Sequence, residues 1–135
     1  FFFFTHTTEY HILSGLVGSE MCIRDSAREL WQRDLAKVFA DVDIILSPTL
    51  PTLIPPVEEE KSLLEATKDA TRNTYAGAFG KLPGLSIPCG FTSDGLPAGL
   101  QLEASWWNEP LLLKVGAAFQ RVTNWHTYKP KMARI

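Results

Sequence analysis

Lys81-Leu-Pro-Gly-Leu-Ser-Ile-Pro-Cys-Gly-Phe-Thr-Ser-Asp-Gly-Leu-Pro-Ala-Gly-Leu-Gln-Leu102 is the stretch that decides the fold of this chain. Leu85, Ile87, Cys89 and Phe91 alternate with Ser86, Pro88 and Gly90, the period of two that a strand imposes on its faces. Asp94-Gly95 follows as a turn signal, and Leu96, Ala98, Leu100 and Leu102 then alternate with Pro97, Gly99, Gln101 and Glu103. The pattern predicts a β-hairpin with one apolar face and one face almost without side chains. Glycine and proline weaken a ladder, so their placement predicts a bulge, an edge, or a surface that another backbone approaches closely.

Outward from the hairpin, Trp31, Leu35, Val38, Phe39 and Val42 recur at helical spacing, and Ser26 with Glu29 has the spacing of a capping box. A helix of about four turns is expected there. It leads into Asp43-Ile-Ile-Leu-Ser-Pro48, whose apolar run predicts a short strand buried on both faces. Four prolines between Pro48 and Pro56 then force an extended path, a rigid loop at a strand end that could wall a pocket. Glu58 to Lys61 reads as a solvated turn, and Ser62 with Glu65 repeats the capping-box spacing before a helix within Leu63–Phe79. Asn108-Glu109-Pro110 is a helix start, and Leu112, Val115, Phe119 and Val122 form the stripe that packs this helix on the sheet.

Two segments of the hairpin, Leu82-Pro83-Gly84-Leu85-Ser86-Ile87-Pro88-Cys89-Gly90-Phe91 and Gly95-Leu96-Pro97-Ala98-Gly99-Leu100-Gln101, resemble the C-terminal hallmark of the amidase signature family. Asp43, the apolar strand, Pro48, Thr49 and Pro51 are similar to that family's Asp-apolar-Ser/Thr-Pro-Thr-x-Pro segment. The resemblance runs from about Asp41 to Trp125 and implies an α/β chain: the C-terminal portion of an α/β/α sandwich with a mixed central sheet, incomplete as it stands. It also implies hydrolysis of carboxamides by a serine nucleophile, a second serine and a lysine base, the serines lying in a Gly/Ser-rich block. No such block exists between Ala27 and Ile135, and Lys37, Lys61, Lys68, Lys81 and Lys114 lie in charged or helical contexts. No catalytic residue is therefore assigned here.

Thr71, Arg72, Asn73 and Thr74 resemble the polar segment that contributes to the substrate pocket in family members, and are the candidate pocket wall. The chain departs from the family where Ala78 stands for the usual Asn and Lys81 for the usual Gly. The Arg72-Asn73-Thr74 segment and the Pro88-Cys89-Gly90-Phe91 ending resemble stand-alone amidases more than the glutamine-hydrolysing component of tRNA-dependent amidotransferases. The alternative of another class is a small α/β module that binds a partner and catalyses nothing. Trp106-Trp107 are expected to plug the end of the sheet rather than stack a ligand.

Residues 1–26 have no sustained apolar period, and Val17-Gly-Ser-Glu-Met-Cys-Ile-Arg-Asp25 resembles translated sequencing-adapter read-through. They are expected to be non-native, with residues 27–135 forming the C-terminal part of an amidase-like domain and the parent's own upstream sequence missing. The first segment holds three acids and one base, so removing it takes the net charge from -2 to zero. No basic stripe invites nucleic acid, and no apolar run approaches the roughly 18 residues of a membrane helix. Of the two cysteines only Cys89 lies beyond that segment, which fits a reducing compartment, so the cytoplasm is the expected home. Cys89 reads as a small buried hydrophobe, and no metal or cofactor is expected. The expected partners are a small amide substrate of the full-length parent and, for the parent, further copies or the other components of an amidotransferase.

Overall fold

The computed structural model describes residues 10–52 and 63–129, with side chains placed from 21–52 and 64–129. Helix α1 (Tyr10–Asp41) leads directly to strand β1 (Ile44–Pro48). Two short helices, α2 (Leu63–Thr71) and α3 (Tyr75–Gly80), precede the hairpin of β2 (Gly84–Phe91) and β3 (Pro97–Ala104). Helix α4 (Glu109–Val122) and a single 3-10 turn (Trp125–Thr127) complete the described chain.

The three strands form one sheet in the order β1-β3-β2, and both pairings are antiparallel. Leu85 faces Leu102 and Ile87 faces Leu100 across the hairpin, while Leu46 faces Leu102 and Ile44 faces Ala104 on the other side of β3. One sheet face is thus apolar along all three strands, and α4 packs on it. Ile87, Leu102, Ala104 and Leu112 are its buried core, with Val115 and Phe119 against them. Gly116 allows this contact, because a Cβ there would stand 3.0 Å from Leu85 Cδ2. Helix α3 lies on the opposite face, where the Glu103 carboxylate fills the space a side chain at Gly77 would need. Helices on both faces of a sheet make this a partial α/β/α arrangement, as the sequence predicts; the parallel strands of a mixed sheet are not among those described.

Helix α1 is fixed to α3 by side chains that bond to α3 carbonyls, of which those of Phe79 and Gly80 lie in the last turn and have no partner within the helix. Trp31 Nε1 donates to Ala76 O at 3.0 Å, Arg28 Nε to Phe79 O at 3.2 Å and Gln32 Nε2 to Gly80 O at 3.0 Å. Residues 28, 31, 32 and 35 share one helical face, and Leu35 is buried beneath Gly80. Trp106 Nε1 adds a bond to the same Gly80 carbonyl at 2.9 Å, and its ring meets Phe39 edge-on at 6.4 Å. Trp106 therefore closes the sheet end as expected, while Trp107 is 90% exposed.

Several expectations are corrected. Helix α1 passes through Ser26 without a break, so Ser26 is helix interior rather than an N-cap. Strand β1 is not buried on both faces: among the described residues it lies at the edge of the sheet, and Leu46 is 60% exposed. The expectation of a helix covering part of Leu63–Phe79 holds in α2, and a second helix, α3, follows after Arg72–Thr74, where the hydroxyls of Thr71 and Thr74 bond to Thr67 O and Thr71 O. Asn108 occupies the N-cap position of α4, but its side chain makes no capping bond, and Val122 is exposed rather than part of the stripe. Ser62 and the segment Glu58–Lys61 lie outside the described residues.

Candidate functional site

The face of the sheet opposite α4 is where the small residues collect. Register places Gly84, Ser86 and Pro88 of β2, Gly99, Gln101 and Glu103 of β3, and Ile45 and Ser47 of β1 on it. A bulge between Pro88 and Gly90 shifts the phase, so that Gly90 faces Ala98 and Phe91 faces Pro97. Gly90 thereby leaves the small-residue face on which strict alternation puts it, and its φ of 151° lies where glycine is favoured. Phe91 stacks edge-on with Trp125 at 6.1 Å and with Tyr128 at 5.3 Å instead of joining the core. The Asp94-Gly95 turn closes as expected: Gly95 takes a φ of 80°, its N–H bonds to Thr92 O at 3.0 Å, and Thr92 N–H bonds to Leu96 O at 2.8 Å.

At the centre of this face two hydroxyls meet over a glycine. Thr49 follows β1, and its N–H donates to Gly99 O at 2.9 Å. Its side chain reaches across β3 to Ser86 on the far strand, with 2.6 Å between the two hydroxyl oxygens. Only the missing side chain of Gly99 permits this, since a Cβ there would stand 2.8 Å from Thr49 Oγ1 and 3.2 Å from Ser86 Oγ. Sequence reasoning singles out Thr49, Ser86 and Gly99 separately. The pairing itself depends on the strand order, which places β3 between two segments 37 residues apart.

Beside this bridge lies a cleft of about 260 Å³. Pro48, Leu50 and Pro51 form one wall and Leu96, Pro97 and Ala98 the other, so the described start of the proline-rich loop, up to Thr52, borders this cleft at the strand end. Deeper on the face, Gln101 is buried and donates its amide to Glu103 Oε1 at 3.0 Å. Burial holds the Glu103 carboxyl above its usual range, and the Gln101 amide partly offsets this by favouring the charged form.

The four residues read as a pocket wall fall at the junction of α2 and α3, and the structure brings one of them to the site. Asn73 Nδ2 donates to Pro48 O at 2.8 Å, which ties the junction to the end of β1. Thr71 and Thr74 spend their hydroxyls on neighbouring backbone, and Arg72 is exposed. Lys81 ends α3 in the left-handed region at a φ of 59°, with Lys81 N–H on Ala78 O and Leu82 N–H on Gly77 O. A position with that backbone favours glycine, which gives the physical reason for the Gly that the resembled family carries there. Cys89 sits half-buried at the bulge, its Sγ 3.5 Å from Ala98 O, and His126 is exposed on the 3-10 turn. Among the described residues no three His, Cys, Asp or Glu side chains gather to hold a metal ion, and no helix is long and apolar enough to cross a membrane.

This arrangement can position backbone and bind through hydroxyls and amides, but among the described residues it holds no activated nucleophile beside a base. Comparison with known proteins gives it a context. The chain is 43% identical over 125 residues to the A subunit of the glutamyl-tRNA(Gln) amidotransferase of Chloroflexus aggregans, covering 93% of this chain and 25% of that protein. The same-named protein of Thiobacillus denitrificans is 40% identical over 105 residues, covering 77% of this chain and 21% of the relative. Among solved structures, 6-aminohexanoate cyclic dimer hydrolase shares the fold with a TM-score of 0.65 at 22% identity, over 90% of this chain and 26% of its own. The A subunit of the Thermotoga maritima glutamyl-tRNA(Gln) amidotransferase gives a TM-score of 0.51 at 25% identity, over 70% and 22%. The chain thus spans about a quarter of the length of the curated relatives it matches. The family model described as Amidase matches residues 6–113, and with that match the chain belongs to the amidase signature family.

Proposed function

We propose that residues 27–135 are the C-terminal portion of an amidohydrolase that cleaves the C–N bond of a carboxamide, the reacting groups being supplied by parent polypeptide outside this chain. The observation that carries this reading is the small-residue face at Ser86, Pro88 and Gly99, where the Thr49 and Ser86 hydroxyls meet over Gly99 and Ser86 and Pro88 are exposed among the described residues. A Gly/Ser-rich block can lie flat on such a face, its backbone N–H groups fixed where an oxyanion develops. In the parent, a serine attacks the carboxamide carbon while a neutral lysine takes its proton through the second serine. Collapse of the adduct expels ammonia or an amine, which receives that proton, and water releases the acid from the acyl-enzyme. Asn73 and its neighbours Thr71, Arg72 and Thr74 then border the substrate through the cleft at the end of β1. The chain alone is inactive, its substrate is a small amide, and the parent works in the cytoplasm.

A second reading is that the parent is the glutamine-hydrolysing A subunit of a tRNA-dependent amidotransferase, working with partner proteins. The 43% identity to the Chloroflexus aggregans relative favours it. One experiment tests both: recover the complete reading frame from genomic DNA, purify the product, and measure ammonia release from a panel of carboxamides and from glutamine, with and without amidotransferase partners. Release from simple carboxamides without partners supports the stand-alone enzyme, and partner-dependent release from glutamine supports the amidotransferase component. A frame with no lysine and Gly/Ser-rich block upstream, giving a product that releases no ammonia, overturns both.

A further inference from the structure

The cleft beside the hydroxyl bridge is set apart by what lines it. Its walls are hydrocarbon from Pro48, Leu50, Pro51, Leu96 and Pro97, and none of the described residues that line it carries a charge. Arg72 is exposed at the junction of α2 and α3, and Glu103 stands four residues along β3 from Gly99; neither belongs to the lining. Three of the wall residues are prolines, whose rings hold the backbone with little freedom left to lose on binding. The walls are also tied in place. Pro48 O accepts from Asn73 Nδ2 at 2.8 Å, and Thr49 N–H joins the first wall to β3 through Gly99 O at 2.9 Å.

Size and chemistry narrow the occupant. An apolar cavity of ~150 Å³ takes up a benzene ring, so a cleft of about 260 Å³ holds one ring or a short alkyl chain. Gly99 both lines the cleft and lies beneath the Thr49–Ser86 bridge, so one margin of the cleft is polar yet neutral. Two hydroxyls 2.6 Å apart share one hydrogen, which leaves one O–H to donate and lone pairs to accept. A carboxamide answers that pattern with a carbonyl and an N–H, and needs no countercharge. An ammonium or carboxylate between these walls would instead lose hydration with nothing to replace it. We propose that the cleft holds the apolar, uncharged part of the carboxamide substrate, a short aliphatic chain or a single ring, and selects against amides such as glutamine that carry an ammonium and a carboxylate. The substrate class so named rests on the amidase reading above.

Ammonia release by the intact parent tests this with propanamide, butanamide, pentanamide, hexanamide, benzamide and glutamine as substrates. The value of kcat/KM is expected to rise about fourfold for each added methylene, the gain from burying one CH₂. Hexanamide and benzamide should each exceed glutamine by at least ~10-fold. Leu50 is 42% exposed, so Leu50→Asp sets a charge in the cleft wall without entering the core. That variant is expected to flatten the series by raising KM for the longer amides, and Leu50→Met to keep the slope. A hydrolysing parent with a flat series, with a preference for glutamine, or with a slope that Leu50→Asp leaves unchanged overturns the cleft assignment and leaves the amidase reading standing. A parent that releases no ammonia from any amide removes the amidase reading, and hexanamide binding measured by calorimetry then decides the cleft. Binding weakened at least ~10-fold by Leu50→Asp keeps the assignment of an apolar, uncharged ligand. Binding that is absent, or unchanged in that variant, overturns it.

Discussion

Gly99→Ala probes the hydroxyl bridge with the smallest possible change. Gly99 has ordinary strand geometry, so alanine meets no backbone strain there, and by propensity alone the exchange stabilises a strand by about 0.5–1 kcal/mol. The structure predicts the opposite sign. The new Cβ would stand 2.8 Å from Thr49 Oγ1 and 3.2 Å from Thr49 Cβ. Thr49 cannot withdraw as a unit, because its own N–H is bonded to Gly99 O at 2.9 Å. Relief comes from rotating the hydroxyl away, which breaks the 2.6 Å contact with Ser86. Losing a hydroxyl pair costs about 0.5–1.5 kcal/mol and residual crowding about 1–3 kcal/mol, with the lower ends applying at a half-exposed site. The net expectation is destabilisation by about 1–2 kcal/mol.

Equilibrium urea denaturation followed by tryptophan fluorescence reads this quantity, and a double-mutant cycle with Thr49→Ala assigns it. In the Thr49→Ala background the Oγ1 is gone, so Gly99→Ala is expected to cost about 1 kcal/mol less than in the wild type, a coupling typical of touching residues. An equal cost in both backgrounds, or a stabilising Gly99→Ala in the wild type, would refute the claim that Gly99 is small in order to let Thr49 reach Ser86.

Other positions give sharper signs. Lys81→Gly removes a non-glycine residue from a φ of 59° and is expected to raise stability by about 0.5–1 kcal/mol in the same assay, whereas Lys81→Ala should not. Asn73→Ala removes the donor to Pro48 O and should cost about 0.5–1 kcal/mol; Asn73→Asp, which turns an acceptor toward that carbonyl, should cost more. Burial raises the Glu103 pKa, so the folded chain holds this proton more tightly than the unfolded chain does. The stability from that proton is full below the ordinary glutamate value of about 4.3 and is lost as pH rises through the folded value, levelling off above it. Urea midpoints of Glu103→Gln across that window should lack this fall, and a parallel fall in the variant would show that another group titrates.

What can be read from the sequence is what period and turn chemistry encode locally. The hairpin and the Asp94-Gly95 turn are legible because each is specified within a few residues of itself, while the bulge is only one of three readings that the glycines and prolines allow. The family resemblance rests on the same stretch. What cannot be read depends on counting across an irregularity or on contacts between distant segments. One extra residue at the bulge sends Phe91 to Trp125 and Tyr128, which strict alternation cannot foresee. Asn73 reads as polar and near a pocket, but its partner, a carbonyl 25 residues earlier, follows only from where β1 ends. Leu46 lies in an apolar run that predicts burial, and it is exposed because burial belongs to the assembled sheet rather than to the strand.

The distribution of exposed apolar side chains bears on whether such a chain could be an independent binding module. Leu30, Val38, Val42, Leu46 and Leu50 are each at least 42% exposed, and all lie on α1, β1 or the loop that follows them. The hairpin side of the molecule keeps its own apolar face under α4, with Leu102 at 1% and Leu112 at 3% exposure. A protein selected to stand alone would spread its exposed apolar residues singly, since contiguous patches promote association. Exposed apolar side chains are not confined to the flank of α1 and β1, since Phe91 of β2, Leu113 and Val122 of α4 and Trp107 are exposed as well. What sets the α1–β1 flank apart is that exposed Leu46 stands on a strand whose outer edge pairs with no strand among the described residues. Isolated expression of this chain should therefore give a product whose association begins at β1, and Leu46→Pro, which removes an outward N–H as Pro48 and Pro88 already do, should reduce that association without breaking a bond to β3.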